Sequence, residues 1–273
     1  MERTPVQIRE HYEIEKKLAS RLRGASKVER QSLYSSLYDE LFRRVPNHPQ
    51  LAQKASAAEK TRAVTAQMKF LKRFLKPGDV FAEIGPGDCA LAFEAARRAK
   101  LVYAIDVSDE ITKTAVFPEN FELILTGGCA IPVPPGSVQV VYSNQLMEHL
   151  HPDDAFEQLE NTLRALAPGG IYVCVTPNRL AGPHDISKQF DPVATGFHLK
   201  EYSIAEMKAM FEKAGFAKVR TYIGAKCFFL RFPLWPLVLC EKILEALPYS
   251  FRRRIARSAP FRALLNGRFV GVR

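Results

Sequence analysis

Apolar residues in the first part of the chain recur at helical intervals. Leu18 and Leu22, then Leu33, Leu37 and Leu41 with Tyr34 and Tyr38 beside them, place one face of amphipathic helices within residues 6–44. The segment Val45-Pro46-Asn47-His48-Pro49 ends that run, because a helix cannot continue through two prolines so close together. A further helix is predicted over residues 59–75, with Val64, Met68, Leu71 and Leu75 on one face, before a turn at Lys76-Pro77-Gly78-Asp79.

Beyond Asp79 the period changes. Short Val/Ile/Leu-rich runs at 80–84, 101–105, 121–125, 138–142 and 171–175 alternate with helical stretches, the pattern of a parallel sheet covered on both faces. Phe156, Leu159, Leu163 and Leu166 form a helical stripe stopped at Pro168-Gly169-Gly170. Ser203-Ile204-Ala205-Glu206 has the form of a capping box, and Gly215 closes the helix that follows. Residues 219–223 and 226–232 are the last predicted strands, paired across Gly224-Ala225. The expected class is α/β, an open, doubly wound, mostly parallel sheet of seven strands. It divides into a helical N-terminal cap (1–75), a core domain (76–225) and a C-terminal extension (226–273) holding the last strand and a basic amphipathic segment.

Composition narrows the class. The 273 residues are 47% hydrophobic and 25% charged, enough for a full core, which excludes a disordered or collagen-like chain. Five cysteines, Cys89, Cys129, Cys174, Cys227 and Cys240, are odd in number and lack metal-type CxxC spacing, so they read as reduced thiols of a cytoplasmic protein. No signal-peptide pattern opens the chain, and no apolar run reaches the roughly 18 residues that span a bilayer. The net charge of +10 is uneven: 16 basic against 8 acidic side chains in 1–75, 13 against 19 in 76–224, and 10 against 2 in 225–273. The core is acidic and the ends are basic, which points to terminal segments that meet an anionic surface, with solvated helix faces as the plainer alternative.

The chemistry concentrates where a doubly wound sheet binds ligands, beyond the C-terminal ends of its strands. The first strand runs into Gly85-Pro86-Gly87, where the absence of side chains lets a nucleoside-bearing cofactor lie against the backbone. The second strand ends at Asp106, followed by Val107, and its carboxylate can accept both ribose hydroxyls. These features alone fit a nicotinamide dinucleotide as well as S-adenosylmethionine. Glu83, just below the glycine loop, favours a cofactor with a cationic amino-acid end, since a pyrophosphate gains nothing from an anion there.

Glu83-Ile84-Gly85-Pro86-Gly87, Asp106, the loop Ile131-Pro132-Val133-Pro134-Pro135-Gly136-Ser137, the run Val140 to Leu150 and Leu163 to Gly170 together resemble the ordered motifs of class I S-adenosylmethionine-dependent methyltransferases. The resemblance covers about residues 60–225 and is nearest to the small-molecule enzymes of ubiquinone biosynthesis and sugar modification. It implies a Rossmann-like fold, S-adenosyl-L-methionine as cofactor, and Glu83, Gly85, Pro86, Gly87, Asp106, Val107, Asn144 and Gln145 as cofactor-binding positions. Two departures stand out. Cys89 replaces a frequent third glycine, and Thr126-Gly127-Gly128-Cys129-Ala130 lacks the family's adenine-binding Asp, leaving adenine to the backbone near Cys129 and Ala130.

The sulfonium of such a cofactor activates the methyl group, so the protein must align an acceptor and, for a hydroxyl, remove a proton. Histidines suit that task. His149 follows the fourth strand, and His184 and His198 lie in the long segment after the fifth; these three are the candidate bases, with His151 behind them. The His184, Asp185, His198 spacing is not diagnostic of a metal, and no metal site is assigned. Asn144-Gln145-Leu146 is not the Pro-Pro-aromatic run of enzymes acting on planar amino groups. The expected reaction is O-methylation of a small-molecule, sugar or lipid-like acceptor. The rivals are a nicotinamide-dependent oxidoreductase and a non-catalytic or RNA-directed protein, although nucleic acid is disfavoured for want of stacking platforms. The cap is expected to cover the cofactor, with Tyr12, Tyr34 or Tyr38 lining the site. The apolar and arginine-rich segment 226–273 is expected to meet an anionic membrane peripherally, to cover the core, or to pair with a second copy in a homodimer.

Overall fold

The computed structural model describes residues 3–49, 57–109, 111–113, 115–225 and 228–273. Lys226 and Cys227, assigned from sequence to the last strand, lie outside the described residues.

Two helices open the chain, α1 (Pro5–Gly24) and α2 (Lys27–Arg44). Thr4 and Ser26 each start one through a reciprocal capping box with Gln7 and Glu29, which satisfies amides that a helix terminus leaves unpaired. After α3 (Ala57–Leu71) come β1 (Val80–Ile84), α4 (Ala90–Ala96), β2 (Leu101–Asp106), β3 (Phe121–Leu125), β4 (Val138–Asn144), α5 (Pro152–Ala165) and β5 (Leu166–Val175). They are followed by α6 (Ile204–Ala214), β6 (Lys218–Ala225), β7 (Phe228–Phe232), α7 (Leu234–Glu245), α8 (Tyr249–Ala256), α9 (Ala259–Leu265) and β8 (Arg268–Val272).

The sheet runs β3-β2-β1-β4-β5-β8-β6-β7. β1 to β5 are mutually parallel, as their continuous apolar runs predict, and β6–β7 form the expected antiparallel hairpin. The count of seven strands is corrected to eight. Arg268–Val272, from the segment assigned to an extension, enters the sheet antiparallel between β5 and β6, with Val270 facing Val173 and Arg220. The physical reason is burial: Phe269 and Val270 are at most 2% exposed, so the end of the chain completes the core.

One core layer joins Leu18, Leu22, Leu37 and Leu41 of the first two helices to Ile84, Ile105, Met147, Leu159 and Tyr172. The other packs Phe70, Leu71 and Leu75 against Phe81, Leu91, Val102 and Val140. The N-terminal helices thus share the core layer of β1, β2 and α5. A buried ion pair also fastens them: Arg30 Nε and Nη2 donate to the two carboxylate oxygens of Asp154 at 2.6 and 2.7 Å.

Candidate active site

The C-terminal ends of β1, β2, β3 and β4 open into a cleft lined by Ile84, Gly85, Gly87, Asp106, Val107, Thr126, Gly128 and Gln145, roofed by Tyr34, Tyr38 and Phe42 of α2. Gly85 and Gly87 have φ of 68° and 56°, and a Cβ at Gly87 would project into open space beside the cleft. Cys89, where a third glycine was expected, sits at φ 56° as the N-cap of α4. The loop therefore keeps the left-handed conformation that glycine favours, at some cost in strain. Asp106 is fixed by the amides of Val107 (2.7 Å) and Gly87 (3.3 Å), while burial holds its carboxyl above the usual range.

Three buried or cleft-lining groups test the fit to S-adenosylmethionine. Glu83 lies at the foot of the glycine loop, 6% exposed, and its Oε2 has no partner. Burial and the neighbouring Asp88 push its carboxyl well up, an environment that an ammonium group relieves. Asp106 offers the ribose acceptor. Thr126, whose Oγ1 also lacks a partner, lines the cleft where the adenine-binding Asp is missing. The residues present fit the cofactor.

A second cavity continues past Tyr38, Gln145 and His149, which line both, into a chamber walled by His11, His48, His184, His198, Lys188 and Phe197, with Glu15 and Asp185. The three candidate histidines converge here. The His149 and His198 rings meet edge to face with centroids 4.8 Å apart. His198 Nδ1 lies 2.7 Å from Glu201 Oε1, and His184 Nδ1 lies 3.2 Å from Glu201 Oε2. Burial would raise the Glu201 carboxyl, but the hydrogen bonds to these histidines hold it down to about 2. Burial likewise opposes charge on His198, yet the bond to Glu201 and the nearby Glu148 and Asp185 carry its pKa above the ordinary 6.5. His149 is the opposite case: burial and the adjacent His198 push it down to about 3. Its Nδ1 lies 3.1 Å from the Phe197 carbonyl and 2.8 Å from the Tyr38 hydroxyl.

Glu148 is fully buried and pushed up to about 7; Oε2 accepts from Thr176 at 2.9 Å, and Oε1 has no partner. Glu148, His149 and His198 each present a ligand atom within 4.8 Å of the others, so this trio can hold a metal ion. The set weighed from sequence is arranged differently. His184 and His198 share Glu201, while Asp185 accepts from Ser187 and from the Gly196 amide.

Other expected positions fall outside the two cavities. Glu83, Pro86, Cys129, Ala130 and Asn144 do not line the cleft, where Thr126 and Gly128 take the place expected of Cys129 and Ala130. The Cys129 carbonyl accepts from Asn161, and burial pushes its thiol up to about 12. Tyr34 and Tyr38 roof the cleft, but Tyr12 stacks on Phe190 and donates to Asp191 at 2.6 Å. His151 caps α5 by accepting from the Asp153 amide. Sequence reasoning missed Glu148, Glu201 and Thr126; Thr126 opens the run 126–130 that lacks the family's Asp, but the adenine was assigned there to the backbone near Cys129 and Ala130.

Residues 82–174 match a family described as "Methyltransferase domain". A Mycolicibacterium smegmatis protein described as a probable S-adenosylmethionine-dependent methyltransferase is 36% identical over 86 residues, 32% of this chain and 31% of that protein. The match thus spans about a third of this curated relative. Among solved structures, an Archaeoglobus fulgidus SAM-dependent methyltransferase superposes with TM-score 0.54 at 16% identity, covering 88% of this chain and 100% of that one. A Haemonchus contortus phosphoethanolamine N-methyltransferase, solved with phosphomonomethylethanolamine and S-adenosylhomocysteine, gives 0.53 at 16%, covering 81% and 58%. At such identities these likenesses speak for the fold alone.

Proposed function

We propose that this chain is a class I S-adenosylmethionine-dependent methyltransferase that transfers the methyl group to a hydroxyl of a small-molecule, sugar or lipid-like acceptor held in the histidine chamber, a reading supported by the match of residues 82–174 to a methyltransferase-domain family. The observation that carries this reading is the 2.7 Å His198–Glu201 pair beside His149, at the wall between the two cavities.

Bound S-adenosylmethionine supplies an activated methyl on a sulfonium. Asp106 would hold the ribose and Thr126 the adenine edge, while Glu83, beneath the glycine loop and outside the cleft lining, would favour the cationic amino-acid end. His149, kept neutral by burial, positions the acceptor at the junction. His198 would receive the proton that the acceptor hydroxyl loses as it is methylated. Glu201 fixes the His198 ring and stabilises the imidazolium that forms. The cap and the loop carrying Phe197 exclude water.

The unpartnered Glu148 Oε1 favours a second reading, in which Glu148, His149 and His198 hold a divalent cation that orients the acceptor oxygen. Glu201 behind His198 and the Phe197 carbonyl behind His149 would then be the outer partners that orient such ligands.

The test is transfer of isotopically labelled methyl from S-adenosylmethionine to a panel of phenols, catechols, glycosides and long-chain isoprenoid phenols. A base-stable methyl ether, lost in His198→Gln, is expected; a base-labile ester or an N-methyl product contradicts the hydroxyl reading. Activity abolished by a chelator and restored by a divalent cation selects the second reading over the first.

A further inference from the structure

The chain's single tryptophan, Trp235, is 71% exposed, and Leu239 and Ile243 follow it at four-residue steps on α7, 50% and 59% exposed. An outer helix face ordinarily carries polar groups. Here the buried side already holds Leu237, Glu241 and Leu244, so α7 is apolar outward as well as inward. β7, which enters α7 through Pro233, adds exposed Phe228 and Leu230, and α8 adds exposed Phe251.

The charges around this surface are mainly basic; Glu212 of α6, which shares a groove with Trp235, Leu239 and Lys242, is paired with Lys208. Residues 225–273 hold 10 basic and 2 acidic side chains, and both acids are engaged. Glu241 is buried and accepts from Asn178 and the Ile204 amide, while Glu245 pairs with Arg179. Arg231, Lys242 and Arg254 are exposed, and Arg252 and Arg253 flank the Tyr249 ring. No described helix is long and apolar enough to cross a membrane.

We infer that α7, α8 and the β7 edge dock this protein on an anionic phospholipid bilayer, the aromatic and aliphatic residues entering the headgroup–acyl boundary and the cations meeting lipid phosphates. Charge complementarity selects this occupant, since exposed cations border the apolar stripe while Glu212, Glu241 and Glu245 are each engaged by other groups. The placement also bears on the chamber. Tyr249 donates to the Pro192 carbonyl at 3.1 Å, Arg253 to that of Lys188 at 3.0 Å and Arg257 to that of Ala181 at 2.7 Å. The same segment brings His184, Asp185 and Lys188 to the chamber wall. Delivery of a lipid-like acceptor from the bilayer rests on the proposed function; docking itself does not.

Trp235 makes the test direct. Fluorescence of the full-length protein is followed on adding phosphatidylcholine vesicles with and without phosphatidylglycerol, and with brominated acyl chains. The expected result is a blue shift and bromine quenching with phosphatidylglycerol, reversed by high salt. Leu239→Glu with Ile243→Glu should weaken vesicle affinity at least about tenfold while S-adenosylhomocysteine binding persists, which certifies the fold. Unchanged emission, an equal response to phosphatidylcholine alone, or a blue shift that depends on protein concentration without lipid, as a second copy would give, overturns the proposal.

Discussion

Arg30 of the N-terminal cap grips Asp154 of α5 through a two-pronged ion pair in which both side chains are about 5% exposed or less. Tyr34 joins it, donating to Asp154 at 2.6 Å and accepting from the His151 amide at 2.9 Å. Removing one partner leaves a buried charge unpaired. Asp154→Asn is therefore expected to cost about 3–5 kcal/mol in chemical unfolding. Because Tyr34 also roofs the cleft, cofactor affinity should fall with it in calorimetry.

The His198–Glu201 pair sets a pH prediction. A base must be neutral to act, and His198 titrates above 6.5, so kcat/KM should rise with pH through a value above 6.5. In Glu201→Gln the hydrogen-bonded anion is gone and burial dominates. The acid limb should then move to lower pH and the plateau should fall. An unchanged profile would remove Glu201 from the mechanism.

Cofactor recognition predicts two grades of loss in calorimetric titration. Asp106→Ala removes a carboxylate hydrogen-bonding to ribose and should weaken S-adenosylhomocysteine roughly 10–100-fold, whereas Thr126→Val, removing a neutral hydroxyl, should cost roughly 3–10-fold.

Arg23 of α1 donates to the carbonyls of Thr195 (2.9 Å), Gly196 (2.8 Å) and His198 (3.1 Å), and Glu15 accepts from the Phe197 amide at 2.9 Å. The cap thus holds the strand of chain that carries His198. Arg23→Ala should lower kcat about tenfold or more with cofactor affinity nearly unchanged, a split seen by comparing turnover with calorimetry.

Which features the sequence alone reveals follows from the range of the forces involved. β1 to β5 were legible because strands buried on both faces must be continuously apolar, and Gly85-Pro86-Gly87 with Asp106 because close backbone approach and ribose binding need those residue types at that separation. β8 was not, because Arg268-Phe269-Val270-Gly271-Val272 is short, begins with a charge, and acquires its meaning only from lying between Val173 and Arg220. The histidines were individually visible, but their convergence was hidden. It depends on Glu201, an ordinary acidic residue in sequence that binds two of them, and on contacts from Arg23 and Glu15 more than 170 residues away.

A crystal structure with S-adenosylhomocysteine tests the central claim most directly. The account predicts the ribose on Asp106, adenine beside Thr126, the amino group over Glu83, and the sulfur turned through the gap at Tyr38, Gln145 and His149 toward the histidine chamber. A sulfur directed away from His149, or a nucleoside seated elsewhere than Asp106, would contradict it.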